Sequence, residues 1–107
     1  MSPCGPFPIA RFKLFVASHS DLRIRAERRV RALLRMQLPD AELEVIDILE
    51  TPAAAREHRV LATPVLIRLE PQPEVRIIGA LDNIHVVQDV LGLDNVPIEV
   101  DADRGLL

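Results

Sequence analysis

Tryptophan and tyrosine are missing from this chain, and Phe7, Phe12 and Phe15 are its only aromatic residues. Any core must therefore be built from aliphatic side chains. A single cysteine, Cys4, excludes an internal disulfide and a metal site made of four cysteines. No apolar run approaches the ~18 residues of a membrane span, and no charged-then-apolar leader opens the chain. A soluble, cytoplasmic protein with no membrane association is expected. The four glycines never cluster into a phosphate-binding loop. An overall basic character is also lacking. The formal charge is −3 and the pI is near 5.5, which disfavours a nucleic-acid binder.

What is present suits one small domain. A chain of 107 residues with 49% hydrophobic content supports a single core, burying roughly 60–70% of its unfolded surface. Its positive charge is unevenly placed. Six arginines fall between Arg23 and Arg35, whereas acidic residues gather from Asp40 onward. That separation offers a basic face, although arginines on a helix surface are in most proteins simply solvated.

Residues 60–79 organise the rest. Pro64 has no N–H and a fixed φ, so it belongs at the start of a strand, here Val65-Leu66-Ile67. Thr63, which precedes a proline, is pushed out of the helical region. Pro71 and Pro73 mark a turn, after which Val75-Arg76-Ile77-Ile78 reads as a second strand ending in Gly79. Upstream, residues 1–9 hold three prolines and a glycine, which implies a flexible lead-in. Residues 11–17 read as a strand with Phe12, Leu14 and Val16 on one face and Phe15 on the other. Ser20 or Asp21 is placed to cap a helix. Ala26, Val30, Leu33, Leu34 and Leu38 then recur at helical spacing until Pro39. Residues 42–49 are a branched-rich strand. Thr51-Pro52 opens a short helix to about residue 59, with the Thr51 hydroxyl as cap. Asp82 caps a last helix with Ile84, Val87, Val90 and Leu91 as its buried stripe, closed by Gly92.

The order is β-α-β-α-β-β-α. It predicts a parallel first crossover, an antiparallel final hairpin and a mixed four-stranded sheet with helices on both faces, the thioredoxin-like arrangement. Residues 1–9 are expected as a flexible segment, 10–93 as the domain and 94–107 as an acidic tail.

Such a fold does redox chemistry with a thiolate at the first helix N-terminus. The corresponding turn here is Ser18-His19-Ser20-Asp21, which contains no sulfur. Cys4-Gly5-Pro6 precedes the first strand, with Phe7 where a second sulfur would stand. His19, His58 and His85 sit in three different elements without metal-ligand spacing. Ser18 and Ser20 beside His19 lack an identifiable orienting carboxylate. No catalytic, cofactor or metal residue is assigned. Thr63-Pro64 is the more informative feature. With a cis bond at Pro64, Thr63 turns its backbone groups outward beside the first helix, where they can pair with an extended partner segment.

Leu14-Phe15-Val16-Ala17, Val45-Ile46-Asp47-Ile48-Leu49 followed by Thr51-Pro52, Leu61-Ala62-Thr63-Pro64-Val65-Leu66 and Val75-Arg76-Ile77-Ile78-Gly79 together resemble the KaiB family, in its order and nearly at its spacing. The resemblance spans about residues 12–92, and the input domain of SasA-type sensor kinases shares the fold. It implies a non-enzymatic protein that docks on KaiC, a hexameric RecA-like ATPase and kinase, and alters its phosphorylation cycle in a circadian clock. It also implies two folds, since the resting KaiB tetramer has the order β-α-β-β-α-α-β and the thioredoxin-like monomer is the form that binds. The chain departs from the family pattern at Ser18-His19-Ser20-Asp21, at Ala80-Leu81-Asp82 and in a longer proline turn. The β-branched residues at 65–67 and 75–78 favour the thioredoxin-like state.

The expected function is a KaiB-like module binding a KaiC-like ATPase, itself a possible dimer or tetramer. The candidate contacts are Arg23, Arg28, Arg31, Thr63 and Gly79, with Pro64 as a structural cis-proline candidate. Two alternatives stay open: a divergent thiol-dependent enzyme using Ser18 or Ser20, and a signalling adaptor that does not involve KaiC.

Overall fold

The computed structural model describes residues 9–17, 21–79, 81 and 83–98. Seven elements follow in the order β1 (Arg11–Val16), α1 (Asp21–Gln37), β2 (Glu42–Asp47), α2 (Pro52–Glu57), β3 (Val65–Glu70), β4 (Val75–Ile78) and α3 (Ile84–Leu91). This is the β-α-β-α-β-β-α sequence and not the alternative order. The sheet runs β2-β1-β3-β4, with β1 parallel to β2 and antiparallel to β3, and β4 antiparallel to β3.

Alternation along the strands sorts the side chains into two layers. Phe12, Leu14 and Val16 of β1 join Leu66 and Ile77 on one face, where Ala26, Val30 and Leu33 of α1 and Val87 and Leu91 of α3 cover them. Phe15 points the other way, with Ile46, Val65 and Ile67, and Ala54 of α2 packs there. The second layer is thinner because α2 has only six residues and buries none of them. Asp21 in the first turn of α1 and Arg35 in its last complement the helix dipole.

Several boundaries differ from the sequence expectation for local reasons. β2 stops at Asp47 rather than near Leu49, because Asp47 Oδ1 accepts from the Leu49 N–H at 2.8 Å and its carbonyl accepts from Glu50 and Thr51. α2 begins at Pro52, but the Thr51 side chain makes no capping hydrogen bond. The helix ends at Glu57, and Arg59 takes a positive φ of 56°. At α3 the observed cap is Asn83, whose Oδ1 accepts from His85 N–H at 3.2 Å; Asp82, the expected cap, lies outside the described residues. Gly92 closes α3 at φ 75°, in the left-handed region where glycine carries no Cβ penalty.

Packing continues beyond residue 93. Leu93 and Ile98 lie against the main core, and Gln88, fully buried, fastens the segment. Its Nε2 donates to Gln37 Oε1 and to the Val96 carbonyl, each at 3.0 Å, while its Oε1 lies 3.1 Å from His85 Nδ1. Gln37 Nε2 in turn donates to the Asp94 carbonyl at 2.9 Å.

Candidate functional site

Three strands and one helix converge where β1 ends, β3 begins and β4 ends. Because β3 runs antiparallel to β1, its first residues lie beside the N-terminal half of α1, and β4 returns Gly79 to the same level. A groove of about 460 Å³ opens there, lined by Arg25, Ala26 and Arg29 of α1 and by Thr63, Pro64, Gly79 and Leu81. The Thr63–Pro64 bond is cis, as are Glu70–Pro71 and Gln72–Pro73 in the hairpin turn. The Pro64 carbonyl accepts from Gly79 N–H at 3.2 Å, extending the hairpin ladder by one rung. Thr63 has no backbone hydrogen-bond partner among the described residues. Gly79 adopts φ 73°, and a Cβ built there would meet nothing within 4 Å, so backbone conformation alone asks for glycine.

The wall formed by α1 is strongly positive. The helix holds six arginines against Asp21 and Glu27. Glu27 is taken by Arg31, with Arg31 Nη2 at 3.1 Å. Arg25 and Arg29 form no ion pair among the described residues. Helical residues turn by about 100° each, so these two side chains rise from one flank, about 40° apart.

The expected contacts are distributed differently around the helix. Thr63 and Gly79 share the groove with Pro64. Arg23 and Arg31 lie on the opposite flank of α1, and Arg28 is about 200° from the buried Ala26, facing outward. The structure thus brings Arg25 and Arg29, which sequence reasoning had not singled out, to Thr63 and Gly79. Their i, i+4 spacing on either side of the apolar Ala26 was the available signal; the missing information was which flank meets β3.

The other titratable groups are scattered. His58 Nε2 lies 3.2 Å from Lys13 Nζ, its ring centroid is 5.4 Å from that of Phe15, and its carbonyl accepts from Arg76. No group of three His, Cys, Asp or Glu side chains suited to a metal is found among the described residues. Cys4, Ser18, His19 and Ser20 lie outside those residues. No helix among them is long and apolar enough to cross a membrane. Leu61, 97% exposed, and Ile78, 60% exposed, add apolar surface next in sequence to the groove residues.

The KaiB domain model matches residues 13–93, most of the chain and all seven elements but the first two residues of β1. The chain belongs to the KaiB family. The circadian clock oscillator protein KaiB of Thermosynechococcus vestitus is 39% identical over 99 residues, covering 88% of this chain and 90% of its own length. That of Trichodesmium erythraeum is 35% identical over 93 residues, covering 86% and 88%. Among solved structures, the N-terminal domain of Synechococcus elongatus SasA superposes with a TM-score of 0.65 at 20% identity, covering 91% of this chain and 97% of that domain. Mitochondrial thioredoxin 3 from Saccharomyces cerevisiae gives 0.64 at 20% identity over 78% of each chain, a likeness of fold. The KaiB-like chain therefore has the thioredoxin-like architecture shared with the SasA domain.

Proposed function

We propose that this KaiB-family protein is a non-enzymatic binding module. It docks on a KaiC-like hexameric ATPase and kinase and modulates its phosphorylation cycle in circadian timing or a related signalling role. The observation that carries the reading is the juxtaposition of an arginine-rich α1 wall with the open end of the β3–β4 hairpin, in a chain whose relatives are clock oscillator proteins. Arginine guanidinium groups suit acidic partner surfaces, and rim charges steer encounter more than they add affinity. Arg23, Arg28, Arg31, Thr63 and Gly79 are the proposed contacts on this face, and Arg25 and Arg29 extend it.

Co-elution of the purified protein with a KaiC hexamer, with ATP and with ADP, tests the proposal. A complex that weakens as salt rises and is lost in Arg25→Glu/Arg28→Glu is expected. Absence of a complex in every nucleotide state would overturn it. Insulin reduction and thiol conjugation are the companion assays; turnover in either would replace the binding module by an enzyme.

A further inference from the structure

The groove has two walls of different chemistry. One is the α1 flank with the guanidinium groups of Arg25 and Arg29; the other is formed by Thr63, Pro64, Gly79 and Leu81, whose apolar members are Pro64 and Leu81. An occupant that satisfies both must be charged on one side and apolar on the other. A segment in extended conformation has that form when its residues alternate, since successive side chains point to opposite faces. Residues two apart in a strand are about 6.6 Å apart, close to the roughly 5–6 Å between Cβ atoms four apart on a helix. Carboxylates at every second residue therefore match guanidinium groups at i and i+4.

The sequence contains one such segment. Glu99, Asp101 and Asp103 alternate with Val100 and Ala102, directly after Ile98. Its starting point is fixed. Ile98 packs against the main core, and the Val96 carbonyl is held by Gln88, which also binds Gln37 at the C-terminal end of α1. From Gln37 the axial distance back to Arg29 is about 12 Å and to Arg25 about 18 Å. An extended chain leaving Ile98 reaches about 10 Å at Asp101 and about 16 Å at Asp103. The reach and the spacing agree with no residue to spare in either direction.

We infer that the groove is a site for an extended segment of alternating acidic residues, and that its occupant is this chain's own 99–103. Asp101 pairs with Arg29 and Asp103 with Arg25, while Val100 and Ala102 meet Pro64 and Leu81. The contact is autoinhibitory in form: a partner must displace the segment to use the face proposed above for docking. The inference shares that face with the docking proposal, but its test needs no partner.

The test is amide NMR of the full chain, following Thr63, Gly79 and Leu81, in wild type, in Asp101→Asn/Asp103→Asn and in the charge-exchanged Arg25→Asp/Arg29→Asp/Asp101→Arg/Asp103→Arg. Two weak exposed ion pairs correspond to roughly a five-fold preference for the closed form. The asparagine variant should therefore shift all three signals towards an open position, wild type in about 0.5 M salt should move to the same place, and the exchanged variant should return towards wild type. A free Glu-Val-Asp-Ala-Asp peptide should bind the asparagine variant about five-fold more tightly than wild type. Signals that ignore both the substitutions and salt would overturn the inference. Shifts that grow with protein concentration would overturn it in favour of a second copy as occupant. A peptide with its acids made contiguous binding equally well would remove the alternating register. None of these results depends on whether a KaiC hexamer binds.

Discussion

Replacing Gln88 by leucine removes a fully buried amide whose nitrogen donates to Gln37 Oε1 and the Val96 carbonyl and whose oxygen meets His85 Nδ1. Leucine has a similar volume, so the cavity contribution is small and the loss is chiefly polar. Each intramolecular hydrogen bond is worth about 1 kcal/mol net, and a partner left buried without a mate costs more. Gln37 and Val96 are only half-buried and regain water, which limits the total to about 2–3 kcal/mol. For a domain of this size that corresponds to a fall in Tm of roughly 10–20 °C. Urea unfolding of Gln88→Leu, with Gln37→Leu and the double variant completing a cycle, measures it. The pair should show a coupling of about 1 kcal/mol, and amide exchange at Leu93 and Val96 should accelerate in Gln88→Leu. A leucine variant within about 0.5 kcal/mol of wild type, with exchange unchanged, would refute the tie between α1, α3 and the 93–98 segment.

Three further outcomes follow from the same coordinates. Leu33→Ala empties a fully buried position between α1 and the sheet and should cost about 3 kcal/mol by chemical denaturation. Gly92→Ala forces a Cβ onto a residue at φ 75° and should cost about 1 kcal/mol, although a Cβ there would meet nothing within 4 Å; calorimetry reads the difference. Arg11→Ala removes ion pairs to Glu42 and Glu70 at 3.5 and 3.3 Å, but the side chains are more than half exposed, so the midpoint of urea unfolding should move by less than about 0.5 kcal/mol.

The strands and α1 were legible because their signals are periodic. Phe12, Leu14 and Val16 against Phe15 already divide the two layers, and Ala26, Val30 and Leu33 mark the buried stripe. What escaped reading depends on single side-chain orientations or on tertiary proximity. Thr51 has the residue type of a cap without the bond. Asp47 ends β2 by accepting a backbone N–H two residues on. Gln88 has the composition of a surface helical residue, yet the neighbouring segment encloses it. The groove is the clearest case. Thr63 and Gly79 stood out from the sequence, whereas Arg25 and Arg29 were two among six arginines until β3 fixed which flank of α1 they share.

The position of β1 inside the sheet has a mechanical consequence. β1 and β2 with α1 between them form a unit closed by local connections, and the β3, β4 and α3 part is joined to that unit through the β1–β3 ladder and the Gln37–Gln88 bridge. Pulling the two parts of the molecule apart needs only that seam to open, with the β1–β2 pairing left whole. The later part of the chain is therefore removable like a clipped-on panel, and the earlier part is the frame that holds the clip.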